Sequence, residues 1–526
     1  MRKGGAKPEP RYNLECRDAV HGFVYLSEEE WAIVDCPTFQ RLRDIRQLAM
    51  AHLVYPGATH TRFEHSLGCL HLSDLIFEAV RRRVDARECD DFATAFRASD
   101  RECERGRKLL RIASLLHDVG HSPFSHSGEH LMPEDGDGRR LAHEDVTAKL
   151  IRETEIAERV RSAFPGDTDA VEEVIAVATK PEKAELPRQA NTLWYRFLND
   201  IMGGELGSDR MDYLLRDAVH SGQTAGMFDH RKLIDSMMIV RAPEETAEEY
   251  RLGLDGAGWL VGEQMIVARY LMYVALYFHK TKRIYEIHLE RFLEHWLKQR
   301  YGQPTLPALD VPQYVRLTDS AVWAAIYEAA SEPDAALHAL ARPFVDRTHL
   351  RLAYELILAD NLAPQASRGT LTEFFCNLAG RLSLGQHDTT NDRAASALRD
   401  EFETLLNERR PRKWDAPRFA KFRGAVDKYS RSLLGSQTDG CAIDETRHSA
   451  MKIFDPDLGN KIWVYVDGKT RYLDDLSEIV RGMPDKIWRG RVYAEWRIRN
   501  NVEEFCKKWL ADNPAGGGAR HVTAGP

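Results

Sequence analysis

The chain has 526 residues, more than one ordinary domain holds, and this predicts two or three packing units around at least one large core. Hydrophobic residues make up 43% and charged residues 29%, the balance of an ordinary soluble protein. The net charge of −8 argues against broad, sequence-independent nucleic-acid binding, which needs a basic face, and is compatible with a local basic pocket for a small anion.

The eight cysteines are scattered, with no C-x-x-C pair, a pattern of reduced thiols rather than of a disulfide frame or a zinc ribbon. No apolar h-region follows Met1, so no secretory signal is expected. The most apolar stretch, about 259 to 278, contains Glu263 and Arg269 and is interrupted too early to span a bilayer. These features predict a soluble, cytoplasmic protein with no membrane partner.

In chain order, residues 1–13 are expected to be disordered. His21–Leu26 reads as a short strand, and Ser27-Glu-Glu-Glu30 as a capping box opening a helix. A second helix follows Pro37, with Phe39, Leu42, Ile45 and Ala49 on one side, and Tyr55-Pro-Gly57 is a turn. From Thr61 to Val84 the spacing of Phe63, Leu67, Leu70, Leu75, Ile76 and Val80 is helical. Residues 85 to 106 are charged and expected to be exposed. Leu109, Leu110, Ile112, Ala113, Leu115 and Leu116 then read as a buried helix that ends on His117-Asp118, before Gly120 and Pro123. A loop spans 133 to 140, His143 opens another helix, and helices are expected over 151–180 and 190–219, the latter capped near Gly222. Ile234–Arg241 and Tyr250–Leu254 look like a hairpin, followed by one long helix over 259–300. Pro304, Pro307 and Pro312 mark a boundary. The expected fold is mostly α, a helical bundle over 14–300 with short β-hairpins. A helical region over 301–440 follows, then a small α+β lobe over 441–513 containing the alternating strand Lys461–Val466, and a loose tail over 514–526.

Four positions carry the sharpest chemical expectation: His65, His117, Asp118 and Asp209. His117 and Asp118 are adjacent, so on a helix they project about 100° apart and share one ion only beyond the helix end or in the wedge between them. Ligands from two other helices would complete such a site inside a bundle. Two imidazoles and two carboxylates suit Fe, Mn or Zn, and accept Mg less well. A lone His-Asp pair is more often a hydrogen-bonded core histidine, but this pair has company. His121, His126 and His143 form a second layer able to donate a proton to a leaving oxygen, with Glu129 placed to orient His126. Asp209, Tyr213 and Asp217 share one helix face, and Arg269, Tyr273, Tyr277 and Lys280 form a similar stripe fit to grip a sugar and a polyphosphate. For Tyr273, simple packing is the preferred reading.

With Pro37-Thr-Phe-Gln-Arg-Leu-Arg43, Arg62-Phe-Glu-His-Ser-Leu-Gly68, His117-Asp-Val-Gly-His-Ser-Pro-Phe-Ser-His126 and the segment Asp209 to Asp217, the chain resembles the HD phosphohydrolase superfamily. More narrowly it resembles the dNTP triphosphohydrolases, the dGTPase-like enzymes and the SAM- and HD-domain dNTPases, over about residues 14 to 295 and more faintly over 450 to 495. The resemblance implies one metal held by His65, His117, Asp118 and Asp209, with Mg accompanying the nucleotide phosphates. It implies phosphate contacts from Arg62, Arg210 and Lys280 or Arg269, and His126 as the acid, assisted by Glu129 and His143 with His121 nearby. Gln47, Tyr213, Asp217 and Tyr277 would contact the sugar. The implied reaction is attack of water at the α-phosphorus of a dNTP, releasing a deoxynucleoside and triphosphate. Asp35, Gln40 and Arg43 resemble a nucleotide activator site, although Leu14 and Arg17 replace polar groups that complete it in the mammalian enzyme. Arg210 and Phe278 stand where that enzyme has lysine and glutamine, and no counterpart of its SAM domain is expected within these residues. A homo-oligomer (dimer, tetramer or hexamer), allosteric activation, and a role in dNTP pool control or antiviral defence belong to the same expectation. The rival is an HD phosphodiesterase or nuclease acting on nucleic acid or cyclic nucleotides.

Overall fold

The computed structural model describes residues 13–242, 249–332, 337–356, 416–434, 440–448, 462–483 and 487–513. The expectations for residues 1–12, for the tail after 513 and for 357–415 fall outside these. A hairpin of β1 (Leu14–Asp18) and β2 (Gly22–Leu26) leads into α1 (Glu28–Val34), which opens with the expected capping box of Ser27 and Glu30. The helix expected after Pro37 is only one turn, Pro37–Gln40, followed by 3-10 turns at Arg41–Asp44 and Ala49–Leu53. Then come α2 (Arg62–Asp85), α3 (Phe92–Phe96) and α4 (Asp100–Leu116). The stretch expected to be exposed therefore hides Phe92 and Phe96, whose rings pack on Trp194 and Phe197. The apolar run of α4 is wholly buried, as a helix that is hydrophobic all round must be.

Next are α5 (His143–Glu153), α6 (Glu155–Ala163), α7 (Ala170–Ala178), α8 (Thr192–Gly203) and α9 (Ser208–Ser221), with Gly222 capping α9 in the left-handed region at φ 71°. The single helix expected over 190–219 is thus two, parted at Gly203, Gly204 and Gly207. Strands β3 (Met237–Ala242) and β4 (Glu249–Asp255) form the expected hairpin. The long helix expected over 259–300 is also broken. α10 (Trp259–Met272) passes through a π turn at Tyr273–Tyr277 before α11 (Lys280–Tyr301) begins. Neither Gly nor Pro causes this break. The Tyr55 hydroxyl donates to Ala275 O at 2.8 Å, a tertiary hydrogen bond inside the π turn.

After α11 the proline-rich segment is no domain boundary. Leu306 N donates to Leu131 O, and Arg41 donates to Leu317 O, so this stretch is bonded back onto earlier residues. Helices α12 (Asp319–Ser331) and α13 (His338–Val345) follow. Two compact units result, one of Met1–Thr348 with Ser449–Lys486, the other of His349–His448 with Ile487–Pro526. These units divide the chain at other places than the 300 and 440 expected from the sequence. In the second unit, β5 (Arg351–Leu356), where helix was expected, pairs with β9 (Ile487–Ala494), which pairs with β6 (Cys441–His448). The helices α14 (Ala416–Leu434) and α15 (Arg499–Asp512) contribute Phe419, Phe422, Val426, Val502 and Cys506 to its core. The strands β7 (Trp463–Val466) and β8 (Lys469–Tyr472) instead join the first unit's sheet, in the order β3-β4-β7-β8. The expected C-terminal lobe is therefore shared between the units. Parallel pairing of β4 with β7 is a long-range choice that local periodicity does not encode. The seven described cysteines are all free, and no described helix is long and apolar enough to cross a membrane.

Candidate metal centre

Three helices bring the four expected ligands together: α2 carries His65, the end of α4 carries His117 and Asp118, and α9 carries Asp209. His65 Nε2 lies 3.4 Å from Asp118 Oδ2 and 3.2 Å from Asp209 Oδ1. His117 Nε2 lies 3.4 Å from Asp118 Oδ1 and 3.9 Å from Asp209 Oδ1. Such separations suit donors that share one ion, whose bonds of about 2.0–2.2 Å put ligand atoms roughly 3–4 Å apart. His117 Nδ1 bonds Ser114 O at 2.9 Å, which turns Nε2 inward, where it is buried and has no hydrogen-bond partner. An orphaned imidazole nitrogen facing two carboxylates is what a divalent cation would satisfy, so these residues fit a metal ion. Cys69 Sγ, one helical turn after His65, lies 3.5 Å from His65 Nε2 and clusters with His65, His117 and Asp209.

The charges agree. Burial pushes the Asp118 carboxyl up, but Arg62, His117 and His121 outweigh burial and hold it well below the usual range. Asp209 is likewise lowered, against burial, by His65 and His117. Both carboxylates are therefore ionised and ready to ligate. Burial disfavours a charged His65, yet Cys69, Asp209 and Asp212 around it raise it well above its ordinary value, marking a place that attracts positive charge.

The sequence reading passed over the residue that aims His65. Asp212 is fully buried and accepts from His65 Nδ1 (2.8 Å), His21 Nε2 (2.6 Å), and Arg216 Nε and Nη2 (2.8 and 3.0 Å). Its signal was present in Asp209-Arg-Met-Asp212, one helical turn along. Gly68 makes room for it, because a Cβ there would fall 1.8 Å from Asp212 Oδ1. Gly120 is needed in the same way, its Cβ position lying 2.2 Å from Thr147 N and 2.4 Å from His143 O.

The second layer is also assembled. Glu129 accepts from His126 at 3.0 Å and from His143 at 2.6 Å, and His143 stacks on His121 with centroids 3.9 Å apart. His121 Nε2 is 3.3 Å from Asp118 Oδ1, while His126 is largely exposed. Burial pushes the His143 imidazole down, but the Glu129 bond and the Glu144 and Asp118 charges raise it overall. Burial, then Arg62 and His143, hold His121 well below its ordinary value and so neutral. Arg62 bonds Asp118 and gives its Nε to Ser125 Oγ at 2.8 Å.

Farther along α9, Asp217 is gripped by His60 Nε2 and by the Tyr277 hydroxyl, each at 2.7 Å, and Tyr213 meets Tyr277 edge-on at 6.2 Å. His60 was not anticipated. Tyr273 packs between Tyr277 and Phe278, in line with the packing reading. Gln47 has a buried side-chain oxygen without a partner, and Lys280 is exposed at the start of α11. Arg269 and Arg210 converge on one unforeseen group, the buried Glu205, at 2.7 and 3.0 Å. Arg210 also donates to Gly203 O and Gly204 O. In the expected activator site, Gln40 Oε1 accepts from Arg43 Nε at 2.7 Å, Arg43 lies over the Phe63 ring, and Asp35 is exposed at the end of α1.

Family models match the segments that carry this cluster. Positions 62–214 match the HD domain family and 228–342 the HD associated region. The uncharacterized protein YwfO of Bacillus subtilis is 31% identical over 346 residues, 63% of this chain and 70% of that protein. The deoxynucleoside triphosphate triphosphohydrolase SAMHD1 of Xenopus laevis is 29% identical over 238 residues, 41% of this chain, and the match spans only 35% of that enzyme. A crystal structure of a hypothetical protein from Aquifex aeolicus superimposes with TM-score 0.63 at 25% identity, covering 93% of this chain and 99% of that one. A phosphohydrolase structure from Bacteroides thetaiotaomicron, at TM-score 0.60 and 20% identity, shares the fold. With its helical bundle, its His-Asp pair at the end of a buried helix and its associated region, the chain belongs to the HD-domain phosphohydrolase family.

Proposed function

We propose that this chain is a metal-dependent deoxynucleoside triphosphate triphosphohydrolase, converting dNTP and water to a deoxynucleoside and triphosphate. The observation that carries the reading is the α9 face, where Asp209 of the metal cluster, Tyr213 and the Tyr277-bonded Asp217 follow one another at successive turns. A carboxylate beside two tyrosine rings suits a sugar edge and face, next to a centre that suits a phosphoryl group. His65, His117, Asp118 and Asp209 hold the ion, with Fe, Mn or Zn matched by this donor set. When bound, the ion supplies a Lewis acid for the phosphoryl oxygens and lowers the pKa of an attacking water.

The chain's own groups do the rest. Arg62 holds Asp118 in place and adds positive charge beside the phosphate. As the α-phosphorus gains a bond to the water oxygen, its bond to the sugar O5′ breaks, and His126, its imidazolium stabilised by Glu129, gives O5′ a proton. The attacking water releases its proton to solvent, from which the exposed His126 is reprotonated. His143 shares Glu129 and keeps that carboxylate oriented. Tyr277 against the sugar disfavours a 2′-hydroxyl. Asp35, Gln40 and Arg43 form the activator contact of the same reading. SAMHD1 of Xenopus laevis, by its name a dNTP triphosphohydrolase, supports it through the shared segment.

One observation favours a second reading, an HD phosphodiesterase. Glu205 already neutralises Arg269 and Arg210, leaving fewer cations for a triphosphate. Incubating the metal-loaded chain with each dNTP, singly and in pairs, separates the two. Triphosphate release supports the first. Turnover of a cyclic dinucleotide or single-stranded DNA without any dNTP turnover overturns it.

A further inference from the structure

The loop from Val119 to His126 links an expected metal ligand to the expected acid, and it is held from far away in sequence. Tyr314 donates its hydroxyl to Gly120 O at 2.7 Å. Arg41 Nη2 donates to both His121 O (2.9 Å) and Leu317 O (3.1 Å), joining the loop to the segment that follows Tyr314. At the start of α12, the buried Asp319 accepts from Phe124 N through Oδ1 at 2.7 Å and from Arg46 N through Oδ2 at 3.0 Å. Phe124 and Asp319 are 195 residues apart.

The backbone at this point needs holding. Phe124 (φ 57°) and Ser125 (φ 55°) are consecutive non-glycine residues in the left-handed region, a conformation that persists only where the surroundings over-determine it. Ser125 Oγ accepts from Arg62 Nε at 2.8 Å and donates to Arg46 O at 2.7 Å. Arg62 in turn bonds Asp118. Asp319 thus fixes Arg46 and Phe124, these fix Ser125, Ser125 fixes Arg62, and Arg62 fixes the Asp118 carboxylate. Both Asp319 oxygens are spent on backbone N–H groups of two different segments, which a side chain with only one acceptor cannot reproduce.

We propose that Asp319 is a positioning residue of the metal centre, acting from the HD associated region through the Phe124-Ser125 turn and Arg62 to set the orientation of Asp118. The inference rests on the metal-centre reading above, and its test does not depend on the substrate. The full chain carrying Asp319→Asn is compared with wild type and with Val322→Ala, which removes buried packing from the same helix and no hydrogen bond to the loop. Mn2+ affinity is measured by competition with a chelator, alongside thermal unfolding. Asp319→Asn is expected to bind Mn2+ about 10- to 100-fold more weakly, the usual effect of losing a residue that supports a ligand. Val322→Ala is expected to melt earlier and keep wild-type affinity. Equal affinity in the two variants overturns the proposal. If Asp319→Asn does not fold, Ser125→Ala, which removes the link between Arg46 O and Arg62 Nε in the same relay, decides instead. A weaker Mn2+ affinity supports the inference and an unchanged one overturns it. Where dNTP turnover is measurable, kcat falls in Asp319→Asn with KM unchanged. A wild-type chain that binds Mn2+ yet hydrolyses no dNTP refutes the proposed function alone, and the Mn2+ comparison still decides the role of Asp319.

Discussion

Asp212 is where a single substitution separates stability from metal binding. Asp212→Asn keeps the shape of the side chain but removes its charge and one acceptor. His65 Nδ1, His21 Nε2 and both Arg216 nitrogens then compete for a single oxygen. Arg216 retains Asp18 at 2.8 Å, so it is not stranded completely. Losing one partner of a buried pair costs about 3–5 kcal/mol when the remaining charge is uncompensated, and the Asp18 contact places this case near the lower end. That is a sizeable part of a typical domain stability of roughly 5–15 kcal/mol. Freed from Asp212, His65 loses its fixed orientation, and metal affinity should drop about 10- to 100-fold, or roughly 1.4–2.7 kcal/mol. Denaturant unfolding of the metal-free chain reads the first quantity and chelator competition on folded protein reads the second. Unchanged metal affinity in a destabilised Asp212→Asn would refute the claim that this carboxylate aims His65.

Three further outcomes follow from the same geometry. Gly68→Ala places a methyl group 1.8 Å from Asp212 Oδ1, so it should reproduce the weakened metal binding of Asp212→Asn, and wild-type affinity in a folded Gly68→Ala would contradict this. Asp209→Ala should lose both metal and hydrolysis while His126→Ala keeps metal and loses rate, which metal analysis beside a turnover assay checks. The pH dependence has a definite sign. Burial lowers His143, but Glu129 and its acidic neighbours raise it overall, so its protonated form persists above the ordinary imidazole range and is lost as pH rises through the raised value. Glu129→Gln should therefore move the alkaline limb of the rate profile to lower pH, and a limb that stays in place would remove His143 and Glu129 from the rate-determining ionisation.

Local sequence determined the helices that carry the candidate ligands. The apolar run of α4 has to be buried, Gly120 and Pro123 have to stop it, and so His117 and Asp118 had to emerge at its end. The capping box at Ser27 and the cap at Gly222 are equally local, because their hydrogen bonds close within one turn. Tertiary structure decided the rest. The π turn at Tyr273–Tyr277 is bonded by a hydroxyl from Tyr55, and β4 pairs with β7, each contact joining segments about two hundred residues apart, so no window of neighbouring residues could contain either. Glu205, His60 and Asp319 escaped notice for the same reason, as did the bond from Asp212 to His65. Each is an unremarkable polar residue in the sequence and acquires its role only when burial removes water and leaves a distant group as its partner.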